Sequence, residues 1–360
     1  MHINHEKYIK RCLQIAKNGI GFTRPNPSVG AVVVYGDTII GEGFTSAYGN
    51  NHAEVNAINA VKEKSLLKEA TIYVTLEPCS HYGKTPPCAD LIVKHELKNV
   101  VIGCVDSNSL VAGKGIERLK NAGVNVIVGV LENECRKHHK RFFTVQEKKR
   151  PYIILKWAET KAGFIAPVVK EDQKPVWITN PYSRKLVHKW RSEEHAILVG
   201  TNTVISDNPK LNVRSWSGLN PVRIVLDKSF RIPPSASVFD GSVMTIVITG
   251  KKEKNSEIKH PKAGKNLVFE VIDFSPFGVL EKGVGIQLCE VLQKHQIQSV
   301  IIEGGAQTLQ TFIDEGLWDE ARVFVGDTEF REGVKSPVFE VPFSKKIAIK
   351  TDVLKIHIND

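Results

Sequence analysis

The chain has 360 residues, 42% hydrophobic, 24% charged and 8% aromatic, a balance that can bury a large core and excludes a disordered tail or a coiled coil. A formal net charge of +10, from 49 Lys and Arg against 39 Asp and Glu, favours an anionic partner without choosing among a phosphorylated small molecule, a dinucleotide and a nucleic acid. The N-terminal stretch MHINHEKYIKRCLQIAKNGIG mixes charged and apolar residues, no run reaches the ~18 apolar residues of a membrane span, and six cysteines are too few for a secreted disulfide framework; a soluble, cytoplasmic protein is expected.

In chain order, residues 7–18 place Tyr8, Cys12, Ile15 and Ala16 at helical spacing, and 29–35 with 38–44, separated by Gly36-Asp37, read as a hairpin. A helix over 53–64 leads to a strand over 71–76, a helix over 88–97 to a strand over 99–104, and a helix over 115–122 to a strand over 125–130. A basic helix follows from Glu132 to about Gln146. This repeated helix-then-strand order predicts an α/β layer fold with parallel pairing. The stretch QEKKRP at 146–151 is charged, aperiodic and ends in proline, which marks a domain boundary near residue 150.

Beyond it the pattern predicts strands over 152–157 and 176–179, a helix over 183–192, and strands over 196–200, 222–227, 244–250 and 267–273. A helix over 286–295, a strand over 299–303, a helix over 306–315 and strands from Glu320 onward complete the chain. The loop Lys251–Lys265 is polar, and its lysines read as a solvated surface. No internal repeat relates the two halves.

Three features of the first half carry chemistry. His52-Ala53-Glu54 stands at a helix start, Glu77-Pro78-Cys79 at the end of a strand, and Cys88 opens the next helix after Pro86-Pro87. One imidazole and two thiolates make a tetrahedral zinc site, one ion per chain, with a fourth position left for water. Zinc would bring that water's pKa towards neutrality, and Glu54, not a ligand, is placed to carry protons. Each piece alone recurs by chance; their order along successive elements does not. Cys12, Cys104, Cys135 and Cys289 have no such setting and read as ordinary thiols.

The zinc nucleobase deaminases pair His-x-Glu with Pro-Cys-x-x-Cys, whereas eight residues separate Cys79 from Cys88 here. The longer form, with Pro25-Asn26-Pro27-Ser28-Val29-Gly30 and with Val111-Ala-Gly-Lys-Gly115 after Asp106 and Asn108, resembles the deaminase domain of the bifunctional riboflavin-biosynthesis deaminase/reductases. The resemblance implies a cytidine-deaminase-like three-layer α/β/α domain over residues 1–147. It also implies a substrate, 2,5-diamino-6-ribosylamino-4(3H)-pyrimidinone 5′-phosphate, whose C2 amino group is replaced by oxygen while Glu54 moves the proton to the departing ammonia. By the same transfer Asn26, His81, Lys84, Asp106 and Asn108 would hold this substrate. Ser107 and Ser109 stand where the family often has prolines, which implies a less rigid loop.

In the second half, SVIIEGGAQTLQTFIDE at 299–315 places a Gly-Gly pair between a strand and a helix, a turn that either meets a pyrophosphate or simply needs glycine dihedrals. No Gly-x-Gly-x-x-Gly is present, which disfavours an ordinary Rossmann domain. Trp177-Ile-Thr179, Arg191 and the run from Gly200 to Arg214 resemble the reductase domain of the same bifunctional family. This implies a dihydrofolate-reductase-like α/β domain over 148–360 and NADPH as hydride donor to C1′ of the ribosyl group. Ala158, Trp177, Thr203, Asp207 and the turn Gly305, Ala306, Gln307, Thr308, Leu309, Gln310 and Thr311 would contact NADPH. Pro175, Arg191, Leu211, Arg214 and Glu303 would contact the substrate, the two arginines its phosphate. Two departures are Ala162 before Gly163, where Asp-Gly is common, and Pro175, where a serine is often found.

Two other readings compete. A tRNA base deaminase with an accessory domain would share the His-x-Glu and the thiolates but expects the shorter cysteine spacing and strongly salt-dependent binding. A binding module that kept zinc without catalysis would have no use for Glu54. The reading taken forward is a bifunctional enzyme of riboflavin biosynthesis acting on a phosphorylated pyrimidine, with no nucleic-acid or membrane partner and self-association left open.

Overall fold

The computed structural model describes residues 4–82, 86–108, 112–170, 172–250, 266–275 and 282–359, and the chain separates into two units, Met1–Lys149 and Arg150–Asp360. The first unit runs α1 (His5–Ala16), β1 (Gly30–Tyr35), β2 (Thr38–Phe44), α2 (Ala53–Ala60), β3 (Thr71–Leu76), α3 (Cys88–Lys94), β4 (Asn99–Cys104), α4 (Lys114–Asn121), β5 (Asn125–Val128), α5 (Glu132–His138) and α6 (Lys140–Lys148). Its strands form one sheet in the order β2-β1-β3-β4-β5, antiparallel at both β1 pairings and parallel from β3 to β5. Parallel strands covered on both faces require continuous apolar runs. Ile72 and Val74 of β3 and Val100 and Ile102 of β4 supply them, and the antiparallel but equally covered β1 adds Val32 and Val33, all fully buried.

Two glycines set the layers. A Cβ on Gly30 would lie 2.1 Å from the Cys12 carbonyl oxygen of α1, and one on Gly43 would lie 2.4 Å from the Ala57 nitrogen of α2. Gly43 pairs with Ala31, the residue after Gly30 on β1. Successive strand residues face opposite sides, so α1 and α2 cover opposite faces of the sheet. This is the three-layer arrangement.

The second unit runs β6 (Tyr152–Thr160), β7 (Phe164–Pro167), α7 (Pro181–Glu193), β8 (Ala196–Gly200), α8 (Thr201–Asp207), β9 (Val222–Leu226), β10 (Thr245–Thr249), β11 (Leu267–Val271), α9 (Val284–Lys294), β12 (Ser299–Gly304), α10 (Ala306–Asp314), β13 (Glu320–Gly326), β14 (Gly333–Lys335), β15 (Lys345–Ile349) and β16 (Asp352–Ile358). Nine strands form a sheet in the order β11-β10-β9-β8-β12-β6-β13-β16-β15. Pairing is parallel from β11 to β13 and antiparallel at β16 and β15. From β8 the chain moves outward through β9, β10 and β11, then returns to insert β12 between β8 and β6. The carboxyl ends of β8 and β12 therefore flank a topological switch point, where α/β sheets place their ligands. Leu288, Leu292, Leu309 and Phe312 of α9 and α10 pack with Leu155, Leu198 and Ile302, whereas Val204 of α8 packs with Ile197 and Val199. Neighbouring β8 residues thus serve opposite cores.

Several expected elements differ. The helix expected to reach residue 64 stops at Ala60, where the Lys64 ammonium donates to the carbonyls of Ile58 (2.6 Å) and Asn59 (3.1 Å), satisfying the last turn. The basic helix from Glu132 breaks into α5 and α6 at His139, whose buried ring bonds Thr75 Oγ1 at 3.0 Å. No strand forms over 176–179: Val176 and Trp177 are exposed and only Ile178 is buried. Strand β7 and helix α8 were not expected. Helix α8, TNTVISD, is poor in helix formers and is held by burial of Val204. The loop 251–265 lies outside the described residues. Among the described residues no helix is long and apolar enough to cross a membrane.

Candidate active sites

The ends of three secondary-structure elements converge in the first unit. His52 is the residue that caps α2, Cys79 lies just beyond β3, and Cys88 is the first residue of α3. Helix N-termini carry partial positive charge, which suits a thiolate. The His52 Nδ1 atom is 3.6 Å from Cys79 Sγ and 3.3 Å from Cys88 Sγ, and all three ligand atoms lie within 4.8 Å of one another. Cys79 Sγ also accepts from the Cys88 N–H at 3.4 Å. Hydrogen bonds from Cys88 and His52 hold the Cys79 thiol well below its ordinary range, against the burial that opposes ionisation. Two thiols and one imidazole at this spacing fit zinc in donor type and number.

Glu54 is 4% exposed. Burial pushes its carboxyl up to about 7. It is thus able to exchange protons near neutrality. Asp106 is buried as well and lifted to about 6, chiefly by burial, while it accepts from the Asn108 N–H at 2.7 Å. Asn26 is half-buried in a turn closed by Thr23, whose hydroxyl donates to the Asn26 carbonyl at 3.0 Å. His81 is exposed. Lys84, Ser109 and Val111 lie outside the described residues.

In the second unit Arg191 meets Glu303 through two parallel bonds, Nε to Oε1 at 3.0 Å and Nη2 to Oε2 at 2.6 Å. Burial favours the neutral carboxyl, but Arg191 and Lys156 outweigh it and bring Glu303 down to about 2. Lys156 Nζ stands 3.9 Å from Glu303 Oε2. Nearby, the His188 Nδ1 accepts the Arg214 N–H at 3.3 Å, and the exposed Arg214 guanidinium donates to Asn212 Oδ1 at 3.2 Å. Arg191 and Lys156 meet Glu303 directly and Arg214 lies within electrostatic reach of both Glu303 and Arg191, so positive charge is in surplus here, as phosphate binding requires.

At the switch point, a Cβ on Gly304 would meet Thr203 Oγ1 at 2.7 Å, and one on Gly200 would meet Thr308 Oγ1 at 2.6 Å. Thr203 and Thr308 therefore lie against the two strand ends. Gly305 has φ +75°, a left-handed backbone suited to glycine. Asp207 ends α8 in contact with the Lys170 ammonium. Trp177 is half-exposed beneath the Arg184 guanidinium, 4.8 Å from its ring centroid, and Pro175 is exposed. Ala158 is half-buried on β6. Two expected contacts turn inward: the side chains of Leu211 (φ +51°) and Leu309 are buried in the cores, because each is the apolar residue its neighbourhood needs for packing. Gln310 bonds Asp314 and the Val338 N–H, and Gln307 receives the Thr311 hydroxyl on its carbonyl. From Ala306 to Thr311 most side chains thus serve α10 and the core.

A family model described as the cytidine and deoxycytidylate deaminase zinc-binding region matches residues 2–104, and one described as the RibD C-terminal domain matches residues 151–328. Riboflavin biosynthesis protein RibD of Aquifex aeolicus is 42% identical over 91% of this chain and 88% of its own length, and that of Escherichia coli 35% over 89% and 87%. The chain belongs to the RibD family. Solved structures agree: Acinetobacter baumannii RibD matches with a TM-score of 0.86 at 33% identity, covering 98% of both chains. A Thermotoga maritima diaminohydroxyphosphoribosylaminopyrimidine deaminase/5-amino-6-(5-phosphoribosylamino)uracil reductase matches at 0.82 and 36%, with the same coverage.

The cytidine-deaminase-like and RibD reductase folds expected from the sequence are thus both present, and the RibD relationship is favoured over a tRNA base deaminase. Sequence reasoning missed Lys156, His188 and Lys170. Of these, only Lys156 had a usable signal: a charged residue at the centre of the apolar strand YIILKWA must find a partner when buried.

Proposed function

We propose that this RibD-family chain converts 2,5-diamino-6-ribosylamino-4(3H)-pyrimidinone 5′-phosphate in two steps, hydrolytic loss of the C2 amino group as ammonia followed by reduction of the ribosyl group to a ribityl chain. The observation that carries the reading is the His52, Cys79 and Cys88 trio with buried, non-ligating Glu54 beside it. Bound by these three residues, zinc supplies the Lewis acidity that makes water a nucleophile near neutral pH. Glu54, buried and not a ligand, would take a proton from the attacking water and return it to the departing amine. Asn26, His81, Lys84, Asp106 and Asn108 hold the pyrimidine and its phosphate.

In the second unit a bound NADPH would supply the hydride. Ala158, Trp177, Thr203, Asp207 and residues Gly305 to Thr311, the start of α10, would position it, with Thr308 and Gly305 beside the strand ends. Arg191 and Arg214 bind the substrate phosphate, Glu303 fixes the Arg191 fork, and Pro175 and the Leu211 backbone border the substrate. A soluble enzyme with a small phosphorylated substrate of this kind works in the cytoplasm.

The test is mass spectrometry of the diaminopyrimidinone ribosyl phosphate after incubation with zinc-loaded protein, with and without NADPH. Deamination without NADPH and reduction of the deaminated product once it is added are expected. Deamination alone would remove the reductase half of the proposal, and no reaction would remove both.

A further inference from the structure

Glu77 closes β3, its backbone N–H bonded to the Cys104 carbonyl at 3.0 Å, and its side chain is buried. Among the described residues its carboxylate is met by four backbone N–H groups. Oε2 accepts from Asp106 at 3.2 Å and Gly113 at 3.0 Å; Oε1 accepts from Gly115 at 2.9 Å and Ile116 at 3.2 Å. One charged group thus gathers both ends of the segment 106–116. The approach is close enough that a Cβ on Gly115 would lie 2.0 Å from the Pro78 carbonyl oxygen. One turn along α4, Arg118 donates to the Ser80 carbonyl at 3.2 Å and to Asp90 Oδ2 of α3 at 2.8 Å.

The segment 106–118 is therefore tied to residues 77–80 on both sides of Cys79. Asp106 and Asn108 begin that segment. Charge-assisted bonds to backbone amides are stronger than neutral ones and fix direction as well as distance. We propose that Glu77 is a positioning residue for the deamination, holding Asp106 and Asn108 at a fixed distance from the metal ligand Cys79, so that the pyrimidine is presented to the reacting groups. This rests on the reading that Asp106 and Asn108 contact the substrate.

Glu77→Gln tests it, because an amide offers one acceptor oxygen and turns an NH₂ towards two of the four donors. The variant is compared with Asn108→Ala, with zinc content by elemental analysis, deaminase kinetics, amide hydrogen exchange, and reduction of pre-deaminated substrate as a check on the second unit. Expected for Glu77→Gln are zinc retained at one per chain and kcat/KM for deamination down about tenfold or more, mostly through KM. Exchange should quicken at Asp106, Gly113, Gly115 and Ile116 but not in β3 and β4, and reduction should be unchanged. An unchanged KM, or loss of zinc along with activity, would overturn the proposal. If Asn108→Ala raises KM and Glu77→Gln does not, the positioning role fails alone; if neither does, the substrate reading fails with it. Should Glu77→Gln not accumulate as folded protein, Glu77→Asp, which keeps the charge and shortens the reach, is read by the same outcomes.

Discussion

Glu54 and His188 are both buried titratable residues, and their surroundings give them opposite tasks. Glu54 is lifted to about 7 by burial, so it holds or releases a proton at working pH. Glu54→Gln keeps the size and the three ligands but removes that capacity. Zinc content should stay at one per chain while the deamination rate falls by about 10²–10⁴, measured by metal analysis and ammonia release. His188 is depressed to about 4, first by burial and then by Arg191 and Arg214, so in the fold it is neutral and accepts the Arg214 N–H. Between pH about 6.5 and 4 the unfolded chain binds a proton here that the folded chain refuses. The contribution is therefore complete above about pH 6.5 and is lost as the pH falls towards 4. In denaturant titrations at a series of pH values, wild type should lose on the order of 2 kcal/mol more than His188→Gln over that window, a figure discounted for the partial exposure of the ring. Glu303, depressed to about 2, adds its own loss only below about pH 4.3. Arg214 bonds a neutral oxygen and keeps its full charge for an anion, whereas Arg191 shares its charge with Glu303. Arg214→Ala should raise KM for the phosphorylated reductase substrate about tenfold with a smaller effect on kcat, in steady-state NADPH oxidation.

At the scale of elements, the metal ligands are held by how closely helices approach strands. Helix α2 presents His52 and Glu54 from its first turn, and it rests on Gly43, where a Cβ would meet Ala57 N at 2.4 Å and Ala53 O at 2.6 Å. Both of those atoms are backbone and cannot swing away. Gly43→Ala should push α2 outward, cost about 2–3 kcal/mol, and lower zinc affinity as the N-terminus shifts, as read by thermal melting with and without chelator. These elements were largely legible in the sequence. The strands over 71–76 and 99–104 occur as expected, since β-branched runs between turns leave few alternatives. The expected strand over 176–179 does not form, because Val176 and Trp177 find no neighbouring strand, and apolar composition cannot register that absence. Helix α8 was invisible for the converse reason: its residues favour no helix and burial of Val204 supplies the missing stability.

At the scale of the whole molecule the two units separate after Lys149, near the charged stretch where periodicity lapses, and each carries its own core and chemistry. A chelator should therefore reduce deamination to background while leaving reduction of pre-deaminated substrate within about twofold, with zinc restoring the first activity. Parallel loss of both would show that the metal supports the fold of the entire chain. The sequence by itself determined the patterns that lie within short reach along the chain: a His-x-Glu pair at a helix start, cysteines that follow a strand and open a helix, and the α/β order. Only the tertiary structure decided which distant groups share a charge or a proton. Arg191 and Glu303 are 112 residues apart in sequence and 2.6 Å apart in space, and Glu77 reaches amides up to 39 residues onward. Tertiary packing also turned the side chains of Leu211 and Leu309 into the cores. Periodicity records which face of an element is apolar, whereas partners across a sheet are set by strand order, and that order appears only when the chain has closed on itself.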